Sequence, residues 1–221
     1  NGGGAFVLIY LACILIIGLP IMMAEIVIGR RASSSPVNSM KSAALDSNRS
    51  SNWQLIGLGG LVAGILILSF YSVLAGICIN YIFISALPDL QLSSEEQFSI
   101  TTSSASNLLI WHTVFILVTA GVIASGIKNG IGRFVRVLMP LLGFILILMV
   151  LNAVINGDFL RGLQFLFSPD FSQVDPQTFL SAMGQAFFSL SLGMGAIMTY
   201  GSYMSDDQTI LSTSITVGGL D

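Results

Sequence analysis

Residues 179–203 read FLSAMGQAFFSLSLGMGAIMTYGSY, a run without charged side chains that is long enough to cross a membrane as a helix. Its centre is a poor helix, because Gly193 and Gly195 each weaken one by about 1 kcal/mol relative to alanine. Ser189 and Ser191 add hydroxyl groups to the same stretch. Two interpretations follow. Either the helix breaks in mid-membrane, offering carbonyls and hydroxyls to a cation and a helix N-terminus to an anionic group, or the glycines pack closely against a neighbouring helix.

The composition places the whole chain in a membrane. Of its 221 residues, 54% are hydrophobic and only 9% are charged, whereas a soluble domain carries about 25% charged residues. Five windows are free of charge: 5–24, 50–88, 97–127, 137–157 and 176–205. They predict an all-α polytopic protein with helices at about 5–29, 55–87, 107–127, 134–156 and 178–204, and a further helix that starts near residue 209.

The basic residues indicate the orientation of these helices. The loops at 30–53 and 128–136 share one side of the membrane and hold seven of the eight Lys and Arg residues. The opposite loops, 88–106 and 157–177, are acidic apart from Arg161. By the positive-inside rule the basic loops are cytoplasmic, so we expect a multi-pass protein of the cell membrane with Asn1 outside. The sequence lacks an initial methionine and ends inside an apolar stretch, and we expect a fragment forming one partial transmembrane domain, 1–221.

Several functional classes are disfavoured. The net charge of −3 and the pI near 4.9 argue against a nucleic-acid partner, which needs a basic footprint. His112 is the only histidine, so the sequence offers no nucleophile–histidine–acid set, and it has no cluster with metal-ligand spacing. We therefore do not expect an enzyme.

Motifs along the whole chain resemble helices two to six of the neurotransmitter:sodium symporter family. They are NGGGAF (1–6), GLP (18–20), Glu25 and GR (29–30), SFYS (69–72), GIKNG (126–130) with Met139-Pro140, and QAFFSLSLGMG (185–195) followed by Thr199-Tyr200 and Ser202-Tyr203. In character they resemble most the bacterial amino-acid transporters of this family. The resemblance implies the LeuT-type fold of two inverted five-helix repeats, of which this chain supplies helices two to six and the start of helix seven.

The resemblance also implies a substrate site. Tyr71 matches the tyrosine whose hydroxyl binds the substrate carboxylate, and Phe188 matches the aromatic lid that closes over the substrate. Ser191 and Gly193 match the unwound backbone that borders the substrate. Met194 stands where phenylalanine is frequent, and its flexible thioether makes an adaptable apolar wall. This suits an apolar or aromatic amino acid.

For the ions, the resemblance implies a sodium site at Ser189 and Asp221. Tyr10, Gln185 and Ser189 match the chloride site of the chloride-dependent members. Asp221 aligns with an amide that serves both ion sites in the family. A carboxylate there supplies the negative charge that chloride otherwise brings, so the hypothesis is sodium coupling without a chloride requirement.

Three further features carry predictions with open alternatives. Glu25 either forms an ion pair with Arg30 or Arg31 by snorkelling, or, as the resemblance implies, is a buried structural carboxylate supporting the first helix. Ser202 and Tyr203 match the cytoplasmic gate of the family. The spacing of Gly130 and Pro140 matches the place where the fifth helix opens a water path to sodium; the alternative is a helix start followed by a proline kink.

Together these features predict a sodium-coupled symporter that imports a small amino acid by alternating access, with sodium ions, an amino acid and the lipid bilayer as its partners. A transporter-fold sensor that binds its solute without moving it remains an alternative, as does another sodium-coupled carrier of the same fold. The oligomeric state is not predicted.

Overall fold

The computed structural model describes residues 3–85, 94–126 and 130–221, and within these ranges it is helical without strands. The α-helices are α1 Gly4–Cys13, α2 Leu19–Ala32, α3 Pro36–Asp46, α4 Gln54–Ser85, α5 Ser94–Ser103, α6 Ala105–Ala124, α7 Gly132–Asn156, α8 Phe159–Phe167, α9 Pro176–Ser189, α10 Ala196–Ser202 and α11 Ile210–Leu220. Short 3₁₀ turns lie at Ser51–Trp53 and Phe171–Gln173. The chain divides into two compact units, one formed by Asn1–Ile65 with Asp158–Asp221 and the other by Leu66–Gly157.

Within the described part of the chain, four helical segments are long and apolar enough to cross a membrane: Gly4–Ala32, Ser51–Ile84, Ala105–Ala124 and Gly132–Asn156. The predicted helix at 178–204 is instead two helices, α9 and α10, separated by residues 190–195. At 1.5 Å per residue, neither is long enough to span a bilayer alone. The predicted helix at 107–127 ends at Ala124, and residues 86–87 of the predicted helix 55–87 lie outside the described residues.

Proline residues affect the first and the last of these four segments differently. A π-helical turn, Ile14–Gly18, joins α1 to α2, and the Leu19 amide donates to the Ile14 carbonyl five residues back. The wider turn precedes Pro20, whose ring clashes with an ordinary preceding turn and which lacks an N–H. Pro140 lies inside α7, which is continuous over Gly132–Asn156, so this structure shows a helix start followed by an internal proline.

In the unit formed by residues 1–65 and 158–221, α2 is the central element, packed against α3, α10 and α11, while α1 packs against α9. Its approach to α10 is very close: a Cβ on Gly29 would collide with the Met198 backbone, and a Cβ on Gly201 would lie 2.7 Å from the Ile26 carbonyl oxygen. An apolar cluster fills the interior of this unit, formed by Cys13, Ile14, Met22, Ile26, Ala186, Leu190 and Leu192.

Two polar contacts fix the ends of this arrangement. Arg30, in the last turn of α2, donates to the Gln208 carbonyl at 2.9 Å and so holds the segment between α10 and α11. Asp175 caps α9 by accepting from the Thr178 amide at 2.6 Å, within a complete capping box. The hydrogen bonds from the Thr178 side chain and backbone lower the pKa of Asp175 below its usual range.

In the unit formed by residues 66–157, α4 packs on α6. A Cβ on Gly76 would lie 2.7 Å from the His112 amide nitrogen, so the two helices touch backbone to backbone there. The Phe83 ring stacks on Trp111 with centroids 5.1 Å apart. No residue of α6 or α7 is buried, as expected for apolar helices whose solvent is lipid.

The glycine contacts between α2 and α10 lead to a stability prediction. Replacing Gly29 by alanine forces the Met198 backbone away, and overpacking of this kind costs about 1–3 kcal/mol. We expect the apparent melting temperature of the full-length protein in detergent to fall by several degrees. Gly184→Ala is the control, because a Cβ on Gly184 meets no atom within 4 Å. Equal melting temperatures for the two variants would contradict the tight contact.

Candidate ion and substrate site

The helix break at 190–195 has a defined backbone conformation. After Ser189, the amides of Ser191 and Leu192 turn back to the Phe188 and Phe187 carbonyls at 3.1 and 2.9 Å. Ser191, Gly193 and Gly195 have φ values of 55°, 78° and 74°, in the left-handed region. Glycine adopts this region without cost, whereas Ser191 is a non-glycine residue held there by its surroundings. Of the two interpretations offered by the sequence, the structure contains the broken helix.

Glu25 holds the break in place. The Gly193 amide donates to Glu25 Oε1 at 2.7 Å, which pairs a backbone group that the break leaves without a helical partner. Glu25 is only 7% exposed, and its other oxygen, Oε2, is buried without a partner among the described residues. Arg31 pairs instead with Asp46 at 3.1 Å, and Arg30 bonds to the Gln208 carbonyl. The snorkelling ion pair is therefore absent from this structure, and support of the first helix by Glu25 stays a prediction.

A second polar cluster lies at the end of α9. The Ser189 hydroxyl donates to Asp221 Oδ2 at 2.6 Å, and the Tyr10 hydroxyl lies 2.9 Å from Ser189 Oγ and 3.3 Å from the same carboxylate oxygen. Three elements, α1, α9 and the residue after α11, thus bring three oxygen-bearing side chains to one point. Gln185 lies one turn before Ser189 on α9, but it is exposed and has no hydrogen bond to the other three side chains in this structure.

The residues predicted to line the substrate are distributed over both units. Phe188 is 39% exposed at the end of α9, Met194 is partly exposed, and the Gly193 backbone is open. Tyr71 belongs to the unit formed by residues 66–157, where its ring meets Phe70 edge to face at 6.1 Å. Its role toward the substrate stays a prediction.

The predicted gate residues end the second half of the broken helix. Ser202 donates to the Thr199 carbonyl at 2.7 Å, and Tyr203, directly after α10, is 66% exposed. Tyr203 lines an apolar cavity of about 420 Å³ together with residues of α2, α10 and α11. The gate function itself stays a prediction.

Gly60 is a site residue that the sequence did not single out. A Cβ on Gly60 would lie 2.8 Å from the Gly193 carbonyl oxygen, so the first turns of α4 form the back wall of the break. The neighbouring Gly59 meets nothing within 4 Å. In the sequence the two glycines stand side by side in one apolar helix, and only the neighbour that each one faces distinguishes them.

Comparison with known proteins decides the family. The model of the sodium:neurotransmitter symporter family matches residues 1–106 and 90–221, and so covers the chain from end to end. The chain belongs to this family. The resemblance of its motifs to the family is therefore confirmed.

The relatives of this chain include an uncharacterized sodium-dependent transporter of Haemophilus influenzae, 34% identical over 99% of the chain and 50% of its own length. The transporter YhdH of Bacillus subtilis, also sodium-dependent, is 36% identical over 95% of the chain and 47% of its own length. The sodium-dependent neutral amino acid transporter B(0)AT2 of Bos taurus is 25% identical over 94% of the chain and 32% of its own length.

Among solved structures, that of MhsT in complex with L-phenylalanine matches the whole chain with a TM-score of 0.88 and 43% identity, and the match covers 50% of MhsT. This confirms the fold class, an all-helical membrane protein of the LeuT type, represented in part. The chain spans about half the length of the Haemophilus influenzae and Bacillus subtilis relatives and of MhsT. The three relatives from Haemophilus influenzae, Bacillus subtilis and Bos taurus are all named as sodium-dependent transporters.

The contact between Gly60 and the break leads to a second prediction. In Gly60→Ala the new methyl group pushes the Gly193 carbonyl away, which strains the Gly193–Glu25 bond and lets the segment open more often. We expect hydrogen exchange in the peptide covering 190–195 to become roughly tenfold faster in the full-length protein, the effect of about 1–2 kcal/mol of overpacking. Gly59→Ala is the matched control, with unchanged exchange expected; equal acceleration in both variants would contradict the contact.

Proposed function

We propose that the full-length protein is a sodium-coupled symporter that imports an apolar or aromatic amino acid across the cell membrane by alternating access. The broken helix is the observation that supports this proposal most. Its backbone at 190–195 is anchored by Glu25. The break begins at the end of α9, beside the polar cluster of Tyr10, Ser189 and Asp221. Discontinuous helices of this kind bind substrates and coupling ions in transporters of this architecture. The sodium-dependent relatives and the phenylalanine complex of MhsT support the same assignment.

Sodium is assigned to the cluster around Ser189. A hard cation prefers oxygen ligands, and here the Ser189 hydroxyl and the Asp221 carboxylate lie 2.6 Å apart. When sodium binds, the Ser189 oxygen turns its lone pairs to the ion while its proton is free to rotate toward another acceptor. Asp221 supplies a full negative charge that offsets the charge of the ion.

The amino acid is assigned to the open side of the break. The Ser191 and Gly193 backbone borders it, and Phe188 and Met194, both partly exposed, supply apolar contacts. The family resemblance implies, in addition, that the Tyr71 hydroxyl binds the substrate carboxylate. None of these five residues carries a formal charge that could pair with a charged substrate side chain. The site therefore suits phenylalanine or another apolar amino acid.

Alternating access is assigned to the second half of the broken helix. Because α9 and α10 are separate helices, α10 can tilt without moving α9. Ser202 and Tyr203 at its end form the cytoplasmic gate, in an orientation with the basic loops inside. The Arg30 bond to the Gln208 carbonyl opposes movement of this end away from α2.

Uptake of labelled amino acids by the full-length protein in proteoliposomes tests the proposal directly. We expect uptake of phenylalanine or a similar apolar amino acid that needs an inward sodium gradient and disappears when potassium replaces sodium. Saturable sodium-dependent binding without uptake would favour the alternative, a sensor with the transporter fold. Uptake driven equally well without sodium would refute the proposed coupling.

We further propose that transport does not require chloride, because Asp221 carries the negative charge at the position of the chloride-site residues. The Asp221→Asn variant keeps an oxygen ligand and loses the charge. We expect its sodium-driven uptake in chloride-free buffer to fall about tenfold or more, since a cation in a membrane interior needs a compensating charge, and added chloride to restore part of it. Asp206→Asn, the same change at an exposed loop position, serves as the control. Strict chloride dependence of the unaltered protein would refute this proposal.

A further inference from the structure

Helix α8, Phe159–Phe167, separates apolar and polar residues on opposite faces much more sharply than the membrane-length helices do. Leu160, Leu163 and Phe167 recur at the i, i+3 and i+7 spacing of one helix face. Arg161 is exposed and lies about 160° around the helix from Leu163, whereas Gln164, one turn after Leu160, borders the apolar face. A connection that runs entirely through water would be polar on all sides. A helix with one apolar and one polar face is instead typical of a boundary between water and an apolar phase.

The depth of α8 relative to the membrane follows from its contact with α1. A Cβ on Gly3 would lie 2.7 Å from the Phe165 carbonyl oxygen, and a Cβ on Gly4 would collide with the Leu166 backbone. The last turn of α8 is therefore in backbone contact with the residues where the membrane-length segment Gly4–Ala32 begins. The start of a membrane-spanning segment lies at the level of the lipid headgroups.

Leu163 on the apolar face of α8 is partly buried, but the two ends of this face have no cover in the described part of the chain. Leu160 and Phe167, on this face, are 72% and 76% exposed. Asp158 caps the helix by accepting from the Arg161 amide at 3.2 Å. Leu160 and Phe167 lie on the side of the helix away from this charged N-cap and from Arg161. In the sequence only two residues separate α8 from α7, itself a helix of membrane-spanning length.

We propose that α8 is an interfacial helix, lying in the plane of the membrane surface at which α1 begins, with Leu160 and Phe167 inserted among the lipid chains. Its partner is the lipid bilayer, because headgroup depth, a Leu and Phe face and a single cation that can reach the phosphates are the properties such helices share. By its backbone contact with Gly3 and Gly4, α8 couples this anchor to the segment that carries Tyr10 and Glu25.

Spin labels on single cysteines test the proposal in the full-length protein reconstituted into phosphatidylcholine vesicles. Leu160→Cys and Phe167→Cys are compared with Arg161→Cys on the polar face, and the signal of the unsubstituted protein, which contains Cys13 and Cys78, is subtracted. We expect labels at 160 and 167 to collide freely with oxygen and with a water-soluble nickel chelate at less than about one-third of the rate at 161.

Two other results would overturn the proposal. Labels at 160 and 167 that collide with the nickel chelate as often as the label at 161 would place the face in water. Labels that collide with neither reagent would show that protein covers it. A fluorescent label at the same cysteines gives an independent measurement: nitroxide lipids labelled near the headgroup should quench it more strongly than lipids labelled deep in the chain, and absence of quenching by either lipid would also refute insertion.

Discussion

The 2.7 Å hydrogen bond from the Gly193 amide to Glu25 is the interaction on which the rest of the site depends. A helix that stops inside an apolar bundle leaves amides and carbonyls without partners, and lipid offers none. An unpaired backbone group in such surroundings costs several kcal/mol. Glu25 pairs one of these groups from a neighbouring helix, so the break at 190–195 persists as a defined structure. The buried carboxylate, in turn, gains a partner that lowers the cost of its own burial.

The contacts around Glu25 explain why α2 is the central element of its unit. Along the segment, Glu25 follows the π turn that connects it to α1. It directly precedes the stretch from Ile26 to Gly29, where α10 approaches α2 backbone to backbone. Side chains larger than hydrogen at Gly29 or Gly201 would push α10 away from α2. The carboxylate would then lose its reach to Gly193. Helix packing and the polar anchor are thus two parts of one arrangement.

The sequence predicted the features that depend on local composition. Gaps between charges located the apolar helices, and the serines and glycines at 189–195 marked a segment with low helix propensity. Features that depend on a distant partner were not predictable. Glu25 offered two possible partners in sequence, Arg30 and Arg31, and bonds to neither. Gly60 is indistinguishable from Gly59 until Gly193 is seen beside it. Likewise, Pro20 suggests a disturbed helix, but that the disturbance is a π turn depends on the fold around it.

The electrostatics at the end of α9 favour a cation there. The C-terminal end of a helix carries a partial negative charge from carbonyls that lack helical partners. At this same end the Asp221 carboxylate lies within 2.6 Å of Ser189, the last residue of α9. Two negative groups therefore meet, and among the described residues the side chains that donate to the carboxylate are the Tyr10 and Ser189 hydroxyls. Hydroxyl dipoles compensate a full charge incompletely, whereas the proposed sodium ion would neutralise the carboxylate and also satisfy the Ser189 oxygen. The proposed ion would therefore stabilise the cluster, which is what coupling a solute to a sodium gradient demands of an ion site.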